Sequence, residues 1–220
     1  MNWIHDFQLF LFDFDGLLVN TEPLHYQAYV NMLAERGYSL KLSFTHFLEL
    51  AHLNATAWRE ALYMEIPDLE PNWNILYQEK KEAFTHLLMT GKVELMAGAE
   101  NLLLALQEAK IRRCVVTNSG FDHIQFIRAR LAALQTIENW ITREDYERAK
   151  PSPECYLKAI QLYGKAGDRI IGFEDSIRGY KALCGTAAFP VLICPKHYPL
   201  LEIALQEGGA HFESLEGIHF

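Results

Sequence analysis

The sequence predicts an α/β protein built on a doubly wound parallel sheet, with a helical domain inserted after the first strand. Three observations carry that prediction. Short, almost wholly apolar runs recur at residues 7–12 (FQLFLF), 113–117 (RCVVT), 169–174 (RIIGFE) and 189–194 (FPVLIC), as expected of strands buried on both faces. Helical periodicities separate the later runs, the alternation of βαβ units. Between about Glu22 and Thr90 the alternation fails, and helix patterns occur with no convincing buried strand.

In chain order, the first strand is followed at once by Asp13-Phe14-Asp15-Gly16. Residues 24–36, 44–53, 55–65 and 72–89 then carry apolar side chains at helical spacing, with Pro67 and Pro71 as punctuation. Further helices are expected over Gly98–Ala109, Phe121–Leu134 and Glu154–Tyr163, and a weaker strand over Trp140–Thr142. The expected division is a core domain of residues 1–18 and 92–220 and a helical cap of residues 19–91. Trp58, Trp73 and Trp140 fall at helical or strand spacing and read as packing residues.

Bulk properties narrow the function. A chain of 220 residues, half of them hydrophobic, supports a substantial core plus a smaller domain. A net charge of −8 argues against a general nucleic-acid binder, which needs a basic surface to displace counterions. A local anion site needs only a few cations and backbone amides. Cys114, Cys155, Cys184 and Cys194 are far apart and form no CxxC pair, so reduced thiols are expected. Asp6 and Gln8 interrupt any signal-like apolar run and the first basic residue is Arg36; no stretch approaches a membrane span. The expected location is cytoplasmic, as a monomer, with a small phosphorylated metabolite as partner and neither nucleic acid nor membrane.

Ligands of open parallel sheets bind beyond the carboxyl ends of the strands. At those ends lie Asp13 and Asp15, the cluster Thr117-Asn118-Ser119, and Glu174-Asp175, with Lys150-Pro151 before a helix. These are the parts of an anion-plus-metal site. Asp13 can attack phosphorus to form an aspartyl-phosphate, and Asp15 can protonate the leaving oxygen and later activate water. Asp13 and Asp175 can hold Mg²⁺ through oxygen ligands. The Thr117 hydroxyl and the amides of Asn118 and Ser119 can hold phosphoryl oxygens, with Lys150 neutralising developing charge.

The run Phe12-Asp13-Phe14-Asp15-Gly16-Leu17-Leu18-Val19-Asn20-Thr21-Glu22 resembles the first motif of the haloacid dehalogenase-like (HAD) superfamily. Thr117-Asn118-Ser119, Lys150-Pro151-Ser152-Pro153 and Gly172-Phe173-Glu174-Asp175-Ser176 with Gly179 resemble its second, third and fourth motifs, in the family's order. The helical insert resembles the C1 cap of the β-phosphoglucomutase and phosphoglycolate phosphatase branch. The resemblance implies a HAD-like phosphohydrolase that needs Mg²⁺. Asp13 would be nucleophile and metal ligand, and Asp15 general acid/base with a backbone contact to the metal. Thr117 and Lys150 would bind phosphate, Asp175 would ligate the metal, and Glu174 would ligate it or support a ligand. The true dehalogenases of the family lack a residue equivalent to Asp15, so carbon–halogen hydrolysis is not expected. A β-phosphoglucomutase-like phosphomutase and a non-catalytic binding protein on the same scaffold are the alternatives.

In the cap, His25 lies in Thr21-Glu22-Pro23-Leu24-His25, a pattern of the mutase branch, and is a candidate substrate or proton-relay residue. Lys80 or Lys81 resembles a cap lysine that reaches substrate in some relatives, though a solvated face explains QEKKE equally well. Glu49, His52 and Asn54 lie where relatives place a specificity loop. Relatives usually carry Gly followed by Arg or Lys there, whereas this chain reads Leu50-Ala51-His52-Leu53. That departure weakens the case for a sugar phosphomutase.

Overall fold

The computed structural model describes residues 2–53, 56–198 and 201–219; Asn54 lies outside the described residues. The chain divides into two compact units, one of Met1–Asn20 with Glu94–Phe220 and one of Thr21–Val93. The crossings fall two residues beyond the expected boundaries. The reason is local: Val19 bridges to both Asp15 and Leu95, and the Asn20 amide donates to the Glu94 carbonyl at 2.9 Å. These ties hold residues 19 and 20 within the sheet unit.

The sheet unit contains strands β1 (Leu9–Phe12), β2 (Arg112–Val116), β3 (Asn139–Ile141), β4 (Ile170–Glu174), β5 (Phe189–Ile193) and β6 (Ala210–Phe212). They form one parallel sheet in the order β3-β2-β1-β4-β5-β6. The chain therefore winds outward from β1 in one direction and then in the other, and β1 marks the switch point where such sheets bind ligands. Every residue of β1 and β4 is buried. Period-2 alternation divides β1 between two cores. Leu9 and Leu11 join Cys114, Val116, Cys155 and Tyr156 on one face. Phe10 and Phe12 stack on Phe173 on the other, with ring centroids 6.1 and 5.3 Å away.

The helices of this unit begin with α5 (Ala99–Glu108), after four in the other unit. The expected single helix over 121–134 is two: α6 (Phe121–Arg130) and α7 (Ala132–Gln135), separated by Leu131 in an extended conformation. Then come α8 (Glu154–Tyr163), α9 (Ile177–Cys184) and α10 (Leu201–Leu205). α8 packs on β1, β2 and β3, and α9 on β4 and β5. The short edge strand β6 and helix α10 were not anticipated from the sequence. Among the described residues no helix is long and apolar enough to cross a membrane, and all four cysteines are free thiols.

The helical unit comprises α1 (Glu22–Glu35), α2 (Phe44–Leu53), α3 (Ala57–Glu65) and α4 (Trp73–Thr90). Tyr29, Met32, Leu33, Phe47, Trp58, Leu62 and Leu76 form its core. Trp58 meets Phe47 edge-on at 4.9 Å, so this tryptophan is a packing residue, as its spacing predicts.

Candidate active site

The parallel register builds the site. Phe12 pairs with Val115 of β2 and with Phe173 of β4. One step further along each strand, Asp13, Val116 and Glu174 reach the same level at the carboxyl end of the sheet. The Asp13 amide still donates to the Phe173 carbonyl at 3.0 Å, so the carboxylate leaves from ordered backbone. Past it the chain turns sharply. Gly16 has φ of 79°, a left-handed conformation that favours glycine, and its amide donates to the Val19 carbonyl at 2.9 Å.

Lys150 lies at the centre, with its side chain 3 % exposed. Its ammonium donates to Asp13 Oδ1, to Glu174 Oε1 at 2.7 Å and to the Val116 carbonyl at 2.8 Å. An ammonium has three hydrogens, so this arrangement engages all of them. Burial pulls the Lys150 pKa down, but Asp13 and Glu174 outweigh it and hold the group protonated far above the usual lysine range.

The carboxylates are in excess over that single cation. Oxygens of Asp13, Glu174 and Asp175 lie within 4.8 Å of one another. Burial pushes the Asp13 pKa well above the ordinary carboxylate range; Glu174 and Asp175 push it further, and Lys150 only partly opposes them. At such separations each like-charge pair costs roughly 4 kcal/mol at an effective dielectric constant near 20. Glu174 Oε2 is buried without a hydrogen-bond partner. Clustered hard oxygen donors with uncompensated negative charge suit a divalent cation such as Mg²⁺, so the residues present fit that group.

Glu174 is held from three sides. Its Oε1 accepts from Lys150 and from the fully buried Tyr156 hydroxyl, and the Lys150 ammonium lies 4.9 Å from the Tyr156 ring centre. On the third side the carboxylate packs against Gly179 of α9, where a Cβ would stand 2.0 Å from Oε2. Ser176 caps that helix by accepting from the Gly179 amide at 3.2 Å.

Thr117, Asn118 and Ser119 follow β2. The Thr117 amide donates to the Ile141 carbonyl, extending the β2–β3 pairing. Thr117 Oγ1 accepts from the Ser119 amide at 2.9 Å, which leaves the hydroxyl hydrogen able to donate elsewhere. The Tyr146 hydroxyl lies 2.8 Å from the Thr117 carbonyl and 2.6 Å from Asn118 Oδ1, bracing the loop from below. The Ser119 hydroxyl donates to Asp15 Oδ2. Thus the Ser119 amide, expected from sequence to face phosphate, is engaged within the protein, as is its hydroxyl.

All eight predicted core residues therefore lie at one end of the sheet. His25 and His52 belong to the helical unit. His25 stacks on Phe84 with ring centres 4.0 Å apart, and its Nδ1 lies 2.6 Å from Lys80 Nζ. His52 is buried, and its Nε2 lies 3.4 Å from Glu22 Oε1. Tyr146 and Tyr156 are the support residues that sequence reasoning missed. Tyr156 occupies an ordinary buried helix position, and only its spacing six residues after Lys150 distinguishes it.

Comparison with known proteins agrees with this geometry. The haloacid dehalogenase-like hydrolase profile matches residues 7–183. The chain is 31% identical over 185 residues to hexitol phosphatase A of Escherichia coli, covering 81% of this chain and 78% of that protein. It is also 31% identical over 192 residues to 2-deoxyglucose-6-phosphate phosphatase 1 of Saccharomyces cerevisiae, covering 79% and 74%. Among solved structures, CbbY from Rhodobacter sphaeroides in complex with phosphate shares the fold, with a TM-score of 0.76, 22% identity and 95% of each chain covered.

Proposed function

The chain belongs to the haloacid dehalogenase-like hydrolases, and from that premise we propose that it is a magnesium-dependent phosphatase. Its substrate would be a small phosphorylated sugar or polyol, and Asp13 would carry the phosphoryl group between two half-reactions. The observation that carries this reading is the buried cluster of Asp13, Glu174 and Asp175 around Lys150. A purely structural ion pair would need one carboxylate; here Lys150 holds two, and a third, Asp175, clusters with them.

Lys150 holds Asp13 Oδ1, so Oδ2 is the oxygen that attacks phosphorus as the substrate P–O bond breaks. Asp15 gives its proton to the departing alkoxide. In the second half-reaction Asp15 takes a proton from water as the water oxygen attacks phosphorus. Phosphate leaves, Asp13 is restored, and Asp15 is again protonated. The Thr117 hydroxyl donates to a phosphoryl oxygen, and Lys150 supplies positive charge through Asp13. A divalent cation held by Asp13, Asp175 and Glu174, with the Asp15 carbonyl, would draw charge off the phosphoryl oxygens and relieve their repulsion with the nucleophile.

The two relatives at 31% identity are named as phosphatases of a hexitol phosphate and a deoxyhexose phosphate, which favours hydrolysis over phosphomutation and a sugar or polyol over other metabolites. His25 and His52 are proposed as substrate-recognition residues of the helical unit. The test is phosphate release from hexose, pentose and polyol monophosphates with Mg²⁺, run beside Asp13→Asn. The variant is expected to fold normally and lose on the order of 10³-fold or more in kcat. Near-full turnover by Asp13→Asn would overturn the mechanism, and isomer interconversion without free phosphate would make the protein a mutase.

A further inference from the structure

We propose that Ser119 is a positioning residue for the acid/base Asp15 and not a phosphate ligand, an inference that rests on the phosphatase reading above. Its hydroxyl donates to Asp15 Oδ2 across 104 residues of sequence, and both groups belong to the sheet unit.

The backbone around Ser119 is fixed independently of that contact. Its amide donates to Thr117 Oγ1 at 2.9 Å, and its carbonyl accepts from the Arg143 amide at 3.1 Å. Two residues on, the Phe121 amide donates to the Glu144 carboxylate at 3.2 Å. Glu144 is itself held by the Thr142 hydroxyl at 2.8 Å. At Gly120 an added Cβ would approach Glu144 Oε1 to 3.0 Å, so the segment lies close against its support. The residues just after β3 thus brace the loop after β2, and the loop presents one hydroxyl to Asp15.

Asp15 needs such a brace. It follows the end of β1 in a sharp turn and is only partly buried, so its carboxylate has two torsions to be set by its neighbours. Acid catalysis requires the proton within hydrogen-bond reach of the leaving oxygen when the P–O bond breaks, and small misplacements are costly. With both Ser119 donors engaged, the phosphate contacts of this loop fall to Thr117 and Asn118.

The two roles predict different kinetics. The value of kcat/KM reports steps up to phosphorylation of Asp13, the step in which the leaving group departs. A nitrophenolate departs with little help, whereas a phenolate gains more from a proton. Ser119→Ala and Ser119→Thr are therefore compared with wild type and Asp15→Asn on p-nitrophenyl phosphate and phenyl phosphate. For Ser119→Ala we expect kcat/KM to fall about tenfold on phenyl phosphate and less than about threefold on p-nitrophenyl phosphate. Ser119→Thr should recover most of the loss, and inhibition by inorganic phosphate should stay within about twofold of wild type.

Equal losses on both substrates, or a weakened inhibition by inorganic phosphate, would make Ser119 a phosphate ligand or a folding determinant and overturn the proposal. If Asp15→Asn discriminates between the substrates and Ser119→Ala does not, the link alone fails and the mechanism stands. If Asp15→Asn itself shows no discrimination, both fail, because Asp15 is then not the acid.

Discussion

Lys150 of the sheet unit and Lys80 of the helical unit are buried alike, each 6 % exposed, yet they have different surroundings. Lys150 donates to two carboxylates and a carbonyl. Lys80, within its own unit, meets the His25 ring nitrogen and lies 5.3 and 5.0 Å from the ring centres of Tyr29 and Phe84. Burial alone says little about what a lysine does. One is the counter-charge of a reactive cluster, and the other is seated among aromatic rings, whose faces attract it more weakly.

Removing Lys150 is the harshest test of that difference. Lys150→Met keeps the volume but leaves Asp13 and Glu174 without their cation. We expect kcat to fall on the order of 10³-fold, and stability near neutral pH to fall by about 3 kcal/mol, the usual scale for a broken buried pair. The stability deficit should depend on pH. Burial, then Glu174, already raises the Asp13 pKa in the folded protein, so the folded state takes up protons that the unfolded chain does not. Without Lys150, which lowers that pKa, Asp13 of the variant is raised further, so the variant gains more stability than wild type as pH falls and the deficit should narrow on acidification. Denaturant midpoints in the presence of a chelator measure this. A pH-independent deficit would mean the lysine acts by packing alone.

Gly179→Ala attacks the same cluster without touching a charge. The new Cβ would stand 2.0 Å from Glu174 Oε2 and 2.3 Å from Oε1, so the carboxylate must leave its place beside Tyr156 and Lys150. A loss of about 100-fold in kcat and about 2 kcal/mol in stability is expected, since a displaced buried carboxylate forfeits its hydrogen bonds. Wild-type kinetics would show that the glycine is replaceable and that the Glu174 position matters less than its charge.

For Lys80→Met the expectation is a stability loss of about 1 kcal/mol. The thioether fills the same aromatic slot, and the cation–ring and His25 contacts disappear. If the variant lost as much stability as Lys150→Met, the two lysines would be equivalent and the contrast would collapse.

The two units were also unequally legible in sequence. The apolar runs marked four of the six strands, and the polar residues just beyond three of those runs are the ones that meet in the site. That worked because parallel register carries neighbouring strand ends to one level. β6 escaped notice because three half-buried edge residues leave little pattern, and the break at Leu131 escaped because apolar spacing continues across it. Tyr146 and Tyr156 could not be read as supports, since a tyrosine at a packing position looks the same whether or not its hydroxyl has a task. In the helical unit the periodicity marked all four helices to within about two residues. It could not say that Lys80 turns inward while Lys81 beside it does not, because QEKKE reads as a solvated face.

The smallest expected effect lies on the surface of the helical unit, where Arg36 at the end of α1 holds Glu79 of α4 with two bonds of 2.6 and 2.7 Å. This pair has bonds as short as those of the Lys150 cluster but differs in exposure, with side chains 27% and 36% exposed. Water and salt screen it, so the coupling from a double-mutant cycle with Arg36→Met and Glu79→Gln should be below about 1 kcal/mol. Its pH dependence should run opposite to that of Asp13. The Arg36 hydrogen bond lowers the Glu79 pKa, so the stabilisation is present above the unfolded value and disappears as pH falls through the lowered folded one. It should also weaken in about 1 M salt, where the screening length shrinks to roughly 3 Å. A coupling as large as the Lys150→Met deficit, or one that grew on acidification, would show that bidentate geometry and not burial separates strong from weak ion pairs in this protein.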